Sequence, residues 1–175
     1  GFPILYHILN MLDYVYAERS FAPCNDMETL MREQGMPLFS LETFTPLKEF
    51  DVLGITFQYE LHYTTILNCL DLSGIPVYAK DRENGPIVLG GGLSAFNPEP
   101  MAEFIDAFVI GDGEEAVGRL AAMIRQFKQQ GKGRRAILTA LSEVKGVYVP
   151  AFFKKETSGP FVTVSPGRNR DAPRG

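Results

Sequence analysis

A doubly wound α/β fold built on a mainly parallel sheet is predicted by three observations. Short apolar runs at Asp51–Phe57, Pro86–Leu89 and Ala107–Ile110 have the length and composition of strands buried on both faces. Helical patterns alternate with them. The clearest is Glu114–Gln130, where Val117, Leu120, Ala121, Ile124 and Phe127 recur at three and four residues and paint one apolar stripe. Two of the runs lead into glycine-bearing loops, Gly90-Gly91-Gly92 and Gly111-Asp112-Gly113. Open α/β sheets bind ligands at such carboxyl ends of their strands.

Taken in order, the chain opens on a helical pattern of Ile4, Leu5, Ile8, Leu9 and Leu12, and Tyr14–Phe21 then reads as a strand-like run. Pro23, Asn25 and Asp26 supply turn and capping chemistry for a helix over Met27–Gln34, which Gly35 ends. Met36–Ser40 is a short extended segment, and a connector leads to the strand Asp51–Phe57. Tyr59–Leu72 is a helix that offers Leu61, Ile66, Leu67 and Leu70 to the core and stops at Ser73-Gly74. Ile75–Tyr78 reads as a strand, Lys80–Gly85 as a polar turn and Pro86–Leu89 as the next strand. Pro98 and Pro100 sit near the first turn of a short helix over Met101–Phe104, ahead of the strand Ala107–Ile110. After the long helix, Arg134–Glu143 forms another, and Gly146–Pro150 is followed by Phe152-Phe153 set against Phe161–Val164 in two short strands.

The 175 residues, 45% of them hydrophobic, suit one domain that buries roughly 70% of its unfolded surface without disulfides. Net charge is −4, with 17 basic against 21 acidic residues, which gives no field for direct nucleic acid binding. Cys24 and Cys69 are too few and too far apart for a disulfide framework or a metal knuckle, and read as reduced thiols of a cytoplasmic protein. No apolar run approaches ~18 residues, so no membrane partner is expected. The first residues are Gly1-Phe2-Pro3 and the last eleven are rich in Pro, Gly and charge, which reads as a piece of a longer polypeptide.

The triple glycine has two readings, a tight turn that needs positive φ and a close approach of backbone amides to a ligand. It is neither the dinucleotide fingerprint GxGxxG nor the phosphate loop GxxxxGK[ST]. Gly111-Asp112-Gly113-Glu114-Glu115 puts carboxylates on the first turn of the long helix, where the helix dipole favours them, and would repel a bare phosphate there. His62 and His7 have no ligating residues at metal spacing beside them. No triad and no carboxylate pair stands out, so no catalytic residue and no metal ligand is nominated.

The succession Phe50–Glu60, Gly90–Gly92, Phe96-Asn97-Pro98-Glu99-Pro100 and Asp106–Glu115 resembles the amino-terminal domain of cobalamin-domain radical S-adenosylmethionine (SAM) proteins. The likeness runs over about residues 1–153, and its most specific parts are Phe-Asn-Pro-Glu-Pro and Gly-Asp-Gly-Glu. It implies a Rossmann-like or flavodoxin-like domain of the cobalamin-binding type over residues 1–145. A short β appendage and linker, 146–175, then leads toward a radical SAM barrel of the same polypeptide. The resemblance implies a first strand upstream of Gly1.

An iron–sulfur cluster and S-adenosylmethionine are expected only in that barrel, because Cys24 and Cys69 cannot supply the three thiolates of CxxxCxxC. Neither histidine lies in the DxHxxG pattern, so any cobalamin here would lack a histidine lower ligand. The resemblance sets its tail against Thr56, Gln58, Gly90, Gly91, Gly92, Gly111, Asp112, Gly113 and Glu114. Two alternatives stand beside this reading. One is a degenerate docking domain that kept the fold without a cofactor. The other is a flavodoxin-like or glycosyltransferase-like enzyme domain that uses the same loops for another nucleotide.

Overall fold

Strands β1 (Val52–Thr56), β2 (Ile87–Gly91), β3 (Ala107–Val109) and β4 (Val147–Tyr148) lie in that order in one sheet of the computed structural model, which describes residues 1–158 and 161–167. β1, β2 and β3 are parallel, and β4 closes the far edge antiparallel to β3. The helices are α1 (Phe2–Asn10), α2 (Asn25–Glu33), α3 (Tyr63–Leu72), α4 (Gly113–Gln129) and α5 (Arg134–Ser142). β5 (Phe153–Ser158) and β6 (Phe161–Pro166) make a separate antiparallel pair.

The period-two alternation of the strands sorts their side chains into two cores. Val88 and Phe108 join Ile66 and Leu70 of α3 on one face. Ile87 and Ala107 join Leu120 and Ile124 of α4 and Ile137 and Leu141 of α5 on the other. Helices thus cover both faces of a mainly parallel sheet, as the apolar runs predict. Each fully buried aliphatic or aromatic side chain contributes about 1.5–3 kcal/mol as an upper estimate.

Five local expectations are corrected. Tyr14–Phe21 is not a strand: the Asn10 amide brackets Ala17 through bonds of 3.0 and 3.1 Å, Glu42 accepts from the Arg19 amide and the Arg19 carbonyl accepts from the Leu41 amide, so these groups are paired outside any sheet. Ile75–Tyr78 does not join the ladder either. Its Pro76 and Val77 carbonyls accept from the Arg82 guanidinium, and Pro76 has no N–H to donate. Met101–Phe104 is replaced by 3-10 turns at Leu93–Phe96 and Glu99–Met101. The glycine run is only partly a loop, since Gly90 and Gly91 are the last residues of β2. Val147–Tyr148, expected with the appendage, is instead part of the main sheet.

Candidate functional site

The predicted ligand-contacting residues do assemble at the carboxyl end of the parallel strands. Thr56 pairs with Gly91 and Gly91 with Val109, so the ends of β1, β2 and β3 lie side by side. Gln58 is exposed just past β1. Gly111 takes φ +109° as the chain leaves β3, and Asp112 caps α4 by accepting from the Glu114 amide at 3.0 Å. Glu114 and Glu115 occupy the first turn of α4, as expected from the dipole.

The three glycines differ in what surrounds them. A Cβ on Gly90 would lie 2.7 Å from the Phe57 ring and 3.0 Å from that of Phe108. One on Gly92, which has φ +108°, would lie 2.6 Å from the Phe57 carbonyl oxygen. Gly91 has only ordinary contact, its nearest neighbour being the Val109 carbonyl at 3.8 Å. Phe57 is therefore the group the glycines make room for. Its amide donates to the Gly91 carbonyl at 2.6 Å and its carbonyl accepts from Ser94 at 3.1 Å.

Phe57 begins an aromatic row, with ring centroids 5.8 Å from Tyr63 and 5.9 Å from Phe108, and Phe108 is 6.3 Å from Tyr148. These rings fill the space over Gly90. Large apolar side chains are exposed on the loops beyond the strand ends. Tyr59 and Leu61 follow β1, Leu93 and Phe96 follow β2, and they are 46%, 78%, 79% and 66% exposed. A cavity of about 560 Å³ lies at the opposite end of the sheet, beside Lys80, Arg82, Arg134 and Phe152.

A family model for the N-terminal region of radical SAM proteins matches residues 1–150. The chain belongs to this family. It is also similar to the uncharacterized protein MJ0966 of Methanocaldococcus jannaschii, at 32% identity over 101 residues. That match takes in 57% of this chain and 21% of the relative, so the chain spans only about a fifth of the relative it matches. No solved structure gives a significant match. Among the described residues no helix is long and apolar enough to cross a membrane, and no cluster of three or more His, Cys, Asp or Glu side chains is arranged to hold a metal ion.

Two polar clusters of this radical SAM N-terminal domain escape a reading by motif. At the amino end of the sheet, Asp106 Oδ2 accepts from Arg82 at 2.9 Å, from Arg134 at 2.5 Å and from the Val88 amide at 2.7 Å. Arg82 is fully buried and also donates to the carbonyls of Pro76, Val77 and Phe104. Burial pushes its pKa below the usual guanidinium value, and Asp106 opposes that. The sequence signal is a charge placed directly before an apolar run, which could mark either a turn or a buried partner.

The second cluster explains part of Phe-Asn-Pro-Glu-Pro. Glu99 accepts from the Tyr148 hydroxyl at 2.6 Å and pairs with Lys155 at 2.8 Å, which ties the turn after β2 to β4 and to β5. Burial raises the Glu99 carboxyl, but the bonds from Lys155 and Tyr148 outweigh it and hold the group below the usual carboxylate range. Burial, then the adjacent carboxylate, pushes the Tyr148 hydroxyl well above its ordinary value.

The signs of these shifts set a pH dependence. Glu99 has a depressed folded pKa, so its contribution is present above about 4.5 and lost as pH falls through the folded value. Tyr148 has a raised one, so its contribution is present below 10.0 and lost as pH rises through the folded value. The stabilities of wild type and Tyr148→Phe in urea should therefore differ most between these limits, by about 0.5–1.5 kcal/mol for one hydrogen bond. The gap should narrow on both sides. A gap that does not change from about pH 3 to 11, a span that brackets both ordinary values, would show that the Tyr148 hydroxyl is not coupled to Glu99.

Proposed function

We propose that this is an accessory docking domain, noncatalytic by itself, which presents the carboxyl end of its sheet to a radical SAM catalytic barrel of the same polypeptide. The carrying observation is the apolar rim of Tyr59, Leu61, Leu93 and Phe96 on the loops that follow β1 and β2. Four large apolar side chains left exposed on loops at one end of the sheet favour an interaction site there. The iron–sulfur cluster and S-adenosylmethionine would belong to the barrel, with this domain supplying position and a water-excluding wall. Cobalamin at Thr56, Gln58, Gly90–Gly92 and Gly111–Glu114 is the weaker reading, because Phe57 and Phe108 already fill the place over Gly90.

The test uses the full-length parent protein. Leu61→Asp combined with Leu93→Asp should expose the facing surface of the barrel to hydrogen exchange, while each exposed substitution changes domain stability by within about 0.5 kcal/mol. Hydroxocobalamin mixed with the same protein should elute apart from it on gel filtration. Unchanged exchange in the double variant would refute docking through this rim. Stoichiometric comigration of corrin colour would reinstate the cofactor reading.

A further inference from the structure

The cavity of about 560 Å³ at the amino end of the sheet concentrates positive charge in a chain whose net charge is −4. Its lining holds Lys80, Arg82, Arg134, Arg135 and Lys154 against one carboxylate, Glu83. At its floor two guanidiniums share a single anionic partner, since Arg82 and Arg134 both donate to Asp106 Oδ2. The other bonds of these guanidiniums go to neutral backbone carbonyls, so the cluster keeps one positive charge unanswered. The Arg82 side chain is fully buried and that of Arg134 is 15% exposed, where little water screens the excess.

The rim adds to this charge. Lys80, Arg135 and Lys154 form no salt bridge among the described residues, and the Lys80 ammonium rests 5.5 Å from the centre of the Tyr78 ring. They come from three places in the chain, the turn before β2, the first turn of α5 and strand β5. Arg134 and Arg135 also stand where a helix dipole disfavours cations, and no acidic residue shares that first turn. Asp106 offsets the conflict for Arg134, whereas Arg135 has no such partner among the described residues. Charges set against a local rule in this way are expected at functional sites.

We propose that this cavity binds a small phosphorylated ligand of the nucleoside diphosphate class. A cleft lined by one sign of charge focuses its field and concentrates the opposite ion. Two linked phosphates can engage cations of three separate elements together, and guanidiniums suit phosphate oxygens through paired N–H donors. The volume lies within the roughly 300–1,000 Å³ of small-molecule sites and exceeds what a bare ion fills. Leu138 and the half-buried Phe152 give the lining an apolar side against which a base can lie. The site is independent of the docking reading, since it lies at the other end of the sheet from the apolar rim.

The experiment is calorimetric titration of the full-length parent protein with ADP, inorganic pyrophosphate and adenosine. ADP should bind saturably, pyrophosphate more weakly because it leaves Leu138 and Phe152 uncovered, and adenosine not measurably. Arg135→Gln combined with Lys154→Gln should weaken ADP about 10-fold, through the loss of two charge-assisted contacts at an exposed rim. Both side chains are exposed, and Arg82 and Arg134 keep their bonds to Asp106, so the double variant should melt with the wild type. Lys48→Gln, an exposed cation outside the lining, should leave the affinity unchanged. Hydrogen exchange places the ligand, since ADP should slow the amides of 133–138 in the wild type and not in the double variant. Absence of ADP binding would overturn the proposal, as would affinity that the double variant retains in full or that Lys48→Gln lowers equally. Pyrophosphate binding as tightly as ADP would overturn the nucleoside class.

Discussion

Replacing Asp106 by alanine is expected to destabilise the domain by about 3–5 kcal/mol, the cost of leaving a buried charge without its partner. For a chain of this size that lowers the melting temperature by roughly 6–20 °C. Asp106 Oδ2 accepts from two guanidiniums and one strand amide, and the side chains of Asp106 and Arg82 are 2% and 0% exposed. Alanine would strand Arg82 in a site whose remaining acceptors are three neutral carbonyls. The contrast is Asp51→Ala, which removes a pair with Lys128 whose side chains are about half exposed or more. That change should cost under about 1 kcal/mol. Calorimetric melting of both variants is the check, and similar small losses would mean that the buried cluster is hydrated.

Gly92→Ala should be nearly as severe. Its φ of +108° is strained for any L side chain, and the new Cβ would lie 2.6 Å from the Phe57 carbonyl, a backbone atom held in place by Ser94. Strained backbone and overpacking each cost about 1–3 kcal/mol, so a loss of roughly 2–6 kcal/mol is expected. Gly91→Ala, one residue earlier in an ordinary strand conformation with 3.8 Å of clearance, should change stability by less than about 1 kcal/mol. Equilibrium unfolding in urea separates the two. If Gly91→Ala were the more damaging variant, a ligand-like demand on Gly91 would have to replace the packing demand of Phe57.

This pair of glycines also marks how far the sequence could be read. The runs that become β1, β2 and β3, their alternation with helices and the apolar stripe of α4 were legible because burial on one face or two imposes a local period. The conjunction of Thr56, Gly90–Gly92 and Gly111–Glu114 at one end of the sheet followed from parallel pairing alone. What surrounds those glycines was not legible, since Phe57 lies a whole βα unit earlier in the chain and looks like any core aromatic. Ile75–Tyr78 misled for a related reason. Its composition is that of a strand, but Arg82 claims its carbonyls before a neighbour strand can.

By itself, then, the sequence determined the α/β class, the positions of the three parallel strands, the acidic cap of α4 and the family motifs around Glu99 and Asp112. Only the tertiary structure decided that Phe57 occupies the glycine cradle, that Arg82 and Arg134 share Asp106, and that Glu99 holds Tyr148 and Lys155. The division is physical. Periodicity and capping are enforced within a turn or two of chain, whereas the choice of packing and hydrogen-bond partners is made among groups that only folding brings within contact distance.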